Sequence, residues 1–205
     1  MIPGPDVIGF GPDILEGAAI SPYFPAMAIL PIVEVPDPRL RQISTPVEKV
    51  DDEVRALVSD MFETMYAAPG IGLAAIQVGV PKRILVIDLQ EEEDEEGRPI
   101  PDPHIFINPE ILEASPQQVP YNEGCLSVPE MYAEVDRPDR IRARWLDEHG
   151  SAHEREIEGL LATCLQHEMD HLNGILFIDH LSRLKREMLL RKLAKLRREQ
   201  GKKAA

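Results

Sequence analysis

The stretch Gln166-His167-Glu168-Met169-Asp170-His171 constrains this chain more than any other. It contains H-E-x-x-H. Histidines four residues apart share one face of a helix, so a helix here lets both imidazoles reach one metal ion. Glu168, next to the first histidine, is placed to act as general base toward a water activated by that ion. The flanks favour a helix: Leu160, Leu161, Cys164, Leu165 and His167 form an apolar stripe of helical period, and Gly174 supplies a stop. A surface helix with two solvated histidines has the same local pattern. A catalytic zinc or iron site also needs a third protein ligand and an open position. A third histidine six residues beyond the second would fall on Phe177, so the third ligand must come from elsewhere.

Length and composition bound the rest. With 205 residues, 43% of them hydrophobic and 28% charged, the chain can build one substantial core. No apolar run approaches the ~20 residues of a membrane span, and the start shows no basic segment followed by an apolar one. Two cysteines, Cys125 and Cys164, do not make a disulfide framework, which predicts reduced thiols and a cytoplasmic protein. Net charge is uneven. Ten basic and two acidic residues in 181–205 carry +8, which leaves −22 of the total −14 on residues 1–180. The body should repel nucleic acid and the tail attract it.

In chain order, residues 1–26 are rich in Gly and Pro, and Met27-Ala28-Ile29-Leu30 reads like a protein start. Either 1–26 is an extension or it is an ordered arm peculiar to this chain. Domains are placed at 27–181 for a catalytic body and 182–205 for a basic helix. Ile29 to Val35 reads as a strand, and Asp51 or Asp52 caps a helix to Ala67. The loop Gly70-Ile71-Gly72-Leu73-Ala74-Ala75-Ile76-Gln77 is not a phosphate loop, because no G-x-G-x-x-G or P-loop lysine is present. It instead offers close backbone approach and one polar amide, that of Gln77. Arg83 to Leu89 and Ile105 to Leu112 read as strands around an acidic hairpin tip, Glu91 to Glu96. Ile141 to Trp145 and His153 to Ile157 read as a hairpin. His149 and His153 are expected at the surface, and His104 and His180 likewise, without partners. A last helix from Asp179 or Ser182 carries Leu181, Leu184, Met188, Leu189, Leu193 and Leu196 as its apolar stripe.

In Glu123-Gly124-Cys125-Leu126-Ser127, Cys125 has the alternatives of nucleophile, ligand or buried residue. A thiolate ligand uses Cys125, His167 and His171 together and leaves a fourth position open.

Three stretches in this order resemble the peptide deformylase family: Gly70 to Gln77 as G-x-G-L-A-A-x-Q, Glu123 to Ser127 as E-G-C-L-S, and Gln166 to Leu172 as Q-H-E-x-D-H-L. The resemblance covers roughly 27–181; the N-terminal segment and the acidic insertion depart from it. It implies an α+β fold, mostly antiparallel strands around a central H-E-x-x-H helix, with a C-terminal amphipathic helix. It implies removal of the formyl group from N-formylmethionyl peptides, releasing formate, with Fe²⁺ as cofactor and Zn²⁺, Ni²⁺ or Co²⁺ able to replace it. It implies Cys125, His167 and His171 as metal ligands, and Glu168, Gln77 and the Leu126 backbone N–H as catalytic groups. Gly70, Ile71, Gly72, Leu160 and Cys164 would bind the substrate, and Glu123 would pair with Arg137. The basic C-terminal helix would contact the ribosome, with no membrane involved. A zinc endopeptidase using H-E-x-x-H alone, and an inactive binder of peptide N-termini, are the competing expectations.

Overall fold

The computed structural model describes residues 28–203, so the expectations for residues 1–26 and for Met27 as a start fall outside it. Helix α1 spans Asp52–Ala67, with the Asp51 side chain capping the Val54 N–H. Strand β1 (Gly72–Ala74) leads into a 3-10 turn at Ala75–Val78, closed by Gly79 in the left-handed region. Strand β2 is Ile84–Ile87; β3 (Glu92–Glu93) and β4 (Pro99–Ile100) form the small acidic hairpin. Strands β5 (His104–Ala114), β6 (Gln118–Cys125), β7 (Val128–Pro138), β8 (Arg140–Leu146) and β9 (Ala152–Glu158) follow. Helix α2 is Gly159–Leu172 and α3 is Arg183–Lys203.

The main sheet has the order β1-β2-β5-β8-β9, antiparallel throughout, and β6 pairs with β7 as a separate ribbon. Alternation along β2 shows how the layers stack. Ile84 and Val86 face Val58, Met61 and Met65 of α1, whereas Leu85 and Ile87 join Leu165, Met169 and Leu172 of α2. A sheet packed on both faces explains why β2 reads as an unbroken apolar run. The fold is therefore helices with antiparallel sheet, as the sequence predicts in its coarser form.

Several local expectations change. Residues 29–35 form no strand, because their amides go to different elements: Val33 N–H donates to Gln77 O and Val35 N–H to Ser127 O. No single neighbouring ladder is available to them. Pro109 does not break β5; it sits at a register shift between Ile107 and Glu110, where a missing N–H costs no ladder bond. Helix α3 begins at Arg183, after Ser182, whose backbone and side-chain oxygens accept from Arg186 and Lys185 N–H. Of its expected stripe, Leu181, Leu189, Leu193 and Leu196 pack inward together with Leu190, while Leu184 and Met188 are exposed. The sequence reading also missed the β6–β7 ribbon. Proline is a residue type that marks turns, yet Pro120 pairs with Asp136 in the ribbon.

Candidate active site

The ribbon and α2 supply the site between them. β6 ends at Cys125, where the pairing shifts and the chain turns through Leu126 and Ser127 into β7. His167 and His171 lie one helical turn apart on α2, their ring centroids 5.0 Å apart. Cys125 Sγ is 3.2 Å from His171 Nε2, and one donor atom from each of Cys125, His167 and His171 falls within 4.8 Å of the others. Glu123 Oε2 accepts from His167 Nδ1 at 2.7 Å. A carboxylate only accepts, so a proton sits on Nδ1, and in the neutral ring that a metal needs Nε2 is the nitrogen that keeps a lone pair for it. Burial pushes His171 well below the usual histidine range and keeps it in the neutral form a metal needs. Burial pulls His167 the same way, but its hydrogen bonds with Cys125 and Glu123 outweigh that and raise it. One thiol and two imidazoles with room for a further group suit a divalent transition metal.

Glu123 is itself clamped. Arg137 donates from Nε to Glu123 Oε1 at 2.5 Å and from Nη2 to Oε2 at 3.0 Å, with both side chains 5% exposed. Arg137 Nη1 also donates to Asp170 Oδ2 at 2.9 Å. The expected Glu123–Arg137 pair is thus present, and Asp170 of the histidine motif extends it.

Glu168 is 3% exposed, and its Oε2 has no protein partner. Burial pushes its carboxyl up to about 7, with Glu123 adding to the effect against the opposing pull of His167. A buried carboxyl near neutrality is suited to taking and returning a proton. Gln77 is 1% exposed and oriented by two bonds: Oε1 accepts from Ala74 N–H at 2.7 Å, and Nε2 donates to Ser127 Oγ at 3.2 Å. Its Nε2 lies 3.6 Å from Cys125 Sγ.

These groups line one cavity of about 560 Å³, walled also by Ile71, Leu160, Cys164 and Leu126. His171 lies behind that wall, fully buried. Gly70 and Gly72 line the cavity too, and both stand close to other side chains of the site. A Cβ on Gly72 would stand 2.6 Å from Glu168 Oε1 and 3.0 Å from Cys164 Sγ, and one on Gly70 would stand 2.8 Å from Leu126 Cδ1. Position 72 is glycine because the general-base candidate occupies that space. The cavity adds Tyr132 and Thr163, which sequence reasoning missed. Tyr132, 66% exposed, rests over Gly124, where a Cβ would meet its ring at 2.5 Å. A Gly facing an aromatic in paired strands was the available signal, hidden because the ribbon itself was not recognised.

The remaining histidines divide. His149 and His153 are at the surface as expected. His104 and His180 do have partners: His104 Nε2 is 3.1 Å from Asp102, and His180 Nε2 is 2.7 Å from Asp170. Chain order hid the second, since His180 meets Asp170 only after the chain turns back at Gly174, whereas Asp102 is just two residues before His104.

A Cys-His-His cluster with both histidines buried, beside a buried glutamate with a free carboxylate oxygen and against a cavity in a mixed helix and antiparallel-sheet fold, defines a metal-dependent hydrolase as the class. Residues 29–187 match the family described as polypeptide deformylase, and the chain belongs to that family. It is 76% identical to a peptide deformylase of Rhizorhabdus wittichii over 172 residues, 84% of this chain and 97% of that protein. It is 66% identical to a peptide deformylase of Zymomonas mobilis at the same coverage. A crystal structure of a peptide deformylase from Legionella pneumophila superposes with a TM-score of 0.77 at 46% identity, covering 85% of this chain and 98% of that one. One from Ehrlichia chaffeensis, in complex with actinonin, gives 0.74 at 48% identity over 82% and 98%.

Proposed function

We propose that this chain hydrolyses the formamide of N-formylmethionyl peptides: water adds to the formyl carbon, the C–N bond breaks, and formate and a free amino terminus leave. The observation that carries the reading is the convergence of Cys125, His167 and His171 within 4.8 Å beside buried Glu168 and Gln77. Cys125, His167 and His171 would hold the divalent ion, Fe²⁺ with Zn²⁺, Ni²⁺ or Co²⁺ as substitutes. When bound, the ion supplies Lewis-acid polarisation and lowers the pKa of water.

The chain's own groups do the rest. Glu168 takes the proton of the attacking water and delivers it to the departing nitrogen. Gln77 Nε2–H and the Leu126 backbone N–H donate to the oxygen on which negative charge develops. Glu123, held by Arg137, fixes the His167 ring. Leu160, Cys164 and Ile71 form an apolar wall for the methionine side chain, and Gly70 and Gly72 keep that wall and the carboxylate close together. In this reading α2 gathers the site, since it packs against β1, β2, β7, β8 and β9. The catalytic unit is 27–181, and basic 182–205 reaches the ribosome. The place of action is the cytoplasm, and among the described residues no helix is long and apolar enough to cross a membrane.

The test is formate release from formyl-Met-Ala-Ser by anaerobically purified protein, with metal analysis. Release with about one Fe²⁺ or Zn²⁺ per chain supports the reading, and a full metal site without release overturns it.

A further inference from the structure

The turn between α2 and α3 lies outside the cavity, yet it is wired to the site. His180 is partly exposed, and its Nε2 is 2.7 Å from Asp170 Oδ2. Because the carboxylate only accepts, His180 Nε2–H is the donor. Asp170 Oδ2 also accepts from Arg137 Nη1 at 2.9 Å. Arg137 then donates twice to Glu123, at 2.5 and 3.0 Å, and Glu123 Oε2 accepts from His167 Nδ1 at 2.7 Å. Five side chains from α2, β6, β7 and the turn thus form one unbroken line of hydrogen bonds from solvent to an imidazole 7% exposed. Arg137, Glu123 and His167 are buried and Asp170 is half-buried, and hydrogen bonds linked in such a network reinforce one another.

The outer end is fixed by its surroundings. Asp179, the residue before His180, pairs with Arg41 and with Arg186 at 2.9 Å and accepts from Leu176 N–H at 2.8 Å. The turn is therefore pinned to the segment before α1 and to the start of α3, and His180 is presented to Asp170 from a rigid support.

We infer that His180 is a positioning residue for the metal site: by holding Asp170 against Arg137, it keeps Glu123 aligned on His167. The inference rests on the proposed reading of His167 as a ligand. Losing a group that orients a metal-binding histidine costs ~10–100-fold in metal affinity, and His180 acts three links further out, so roughly a threefold to tenfold effect is expected.

The experiment follows Zn²⁺ release from the loaded full-length protein into a chromophoric chelator, for the parent, His180→Phe, His180→Gln and His167→Ala. Phe keeps the bulk without the N–H, whereas Gln offers an amide N–H to Asp170. The inference expects His180→Phe to release the ion threefold to tenfold faster, with KM for the formyl peptide unchanged and kcat lowered, and His180→Gln to return toward the parent rate. Parent-like release from His180→Phe, or equal acceleration by Phe and Gln, overturns it. His167→Ala keeps the two claims apart: unchanged zinc retention there overturns the ligand reading itself, while loss of zinc there beside parent-like His180→Phe overturns the positioning role alone.

Discussion

Arginine–carboxylate pairs decorate two regions of this molecule, the ribbon beside α2 and the outer face of β8, with different consequences. On β8, Arg140, Arg142 and Arg144 alternate with buried Ile141, Ala143 and Trp145, and their guanidinium groups meet Glu156, Glu113 and Glu110 in solvent. Arg142 is 45% exposed and Glu113 70%. Water screens such pairs, and long side chains lose entropy in forming them. On the ribbon, Arg137 and Glu123 make the same chemical contact at 5% exposure, and Glu123 passes its orientation to His167. Burial removes the screening and makes each partner indispensable to the other. One type of ion pair therefore decorates a surface in the first place and sets an imidazole in the second.

The largest predicted effect tests the buried side at its catalytic end. Glu168→Gln should lower formate release by about 10²–10⁴-fold while metal content measured by elemental analysis stays near the parent value. Arg137→Ala leaves Glu123 uncompensated and should destabilise the fold by about 3–5 kcal/mol in urea denaturation. Stability within 1 kcal/mol of the parent, in the sense of ~RT-scale differences, would erase the contrast with β8. Gln77→Ala should cost ~10²-fold or more in kcat with metal content retained.

Asp179 lies between the two extremes at 20% exposure. Burial pushes its carboxyl up, but Arg41, the Leu176 N–H and Arg186 outweigh it and hold the value below the usual carboxylate range. The folded state thus binds that proton less readily than the unfolded chain does. Its stabilisation is present above the ordinary aspartate range and disappears as pH falls through the lower folded value. Melting curves from neutral to acid pH should show a smaller acid loss in Asp179→Asn than in the parent. The smallest effect belongs to β8: Arg142→Ala should change stability by less than about 1 kcal/mol, and that change should shrink further in high salt.

The sequence made one side of this comparison much more legible than the other. Helical period, a capping Asp51 and the Gly174 stop placed α1 and α2 well, because those signals are local. H-E-x-x-H and the cysteine motif picked out Cys125, His167, His171 and Glu168, since their side-chain types carry the chemistry. What stayed hidden depends on contacts between distant residues. Tyr132 over Gly124, Asp170 with His180, and Glu168 in the space above Gly72 all arise only when the ribbon, the turn and β1 dock on α2. Likewise 29–35 has the composition of a strand but donates to two different neighbours, which no window of residues reveals.

The donor cluster joins a strand end at Cys125 to a helical turn that finishes at His171, 46 positions later. During synthesis, then, no two-element site exists until α2 has left the ribosome and docked beneath the ribbon. With Cys125, His167 and His171 as the proposed ligands, ion capture would be a late event, coupled to closure of the final third of the domain. A nascent chain halted before α2 would carry Cys125 as an ordinary thiol, open to oxidation and with no imidazole beside it. Metal supply during expression should accordingly govern the yield of intact thiol as strongly as it governs activity.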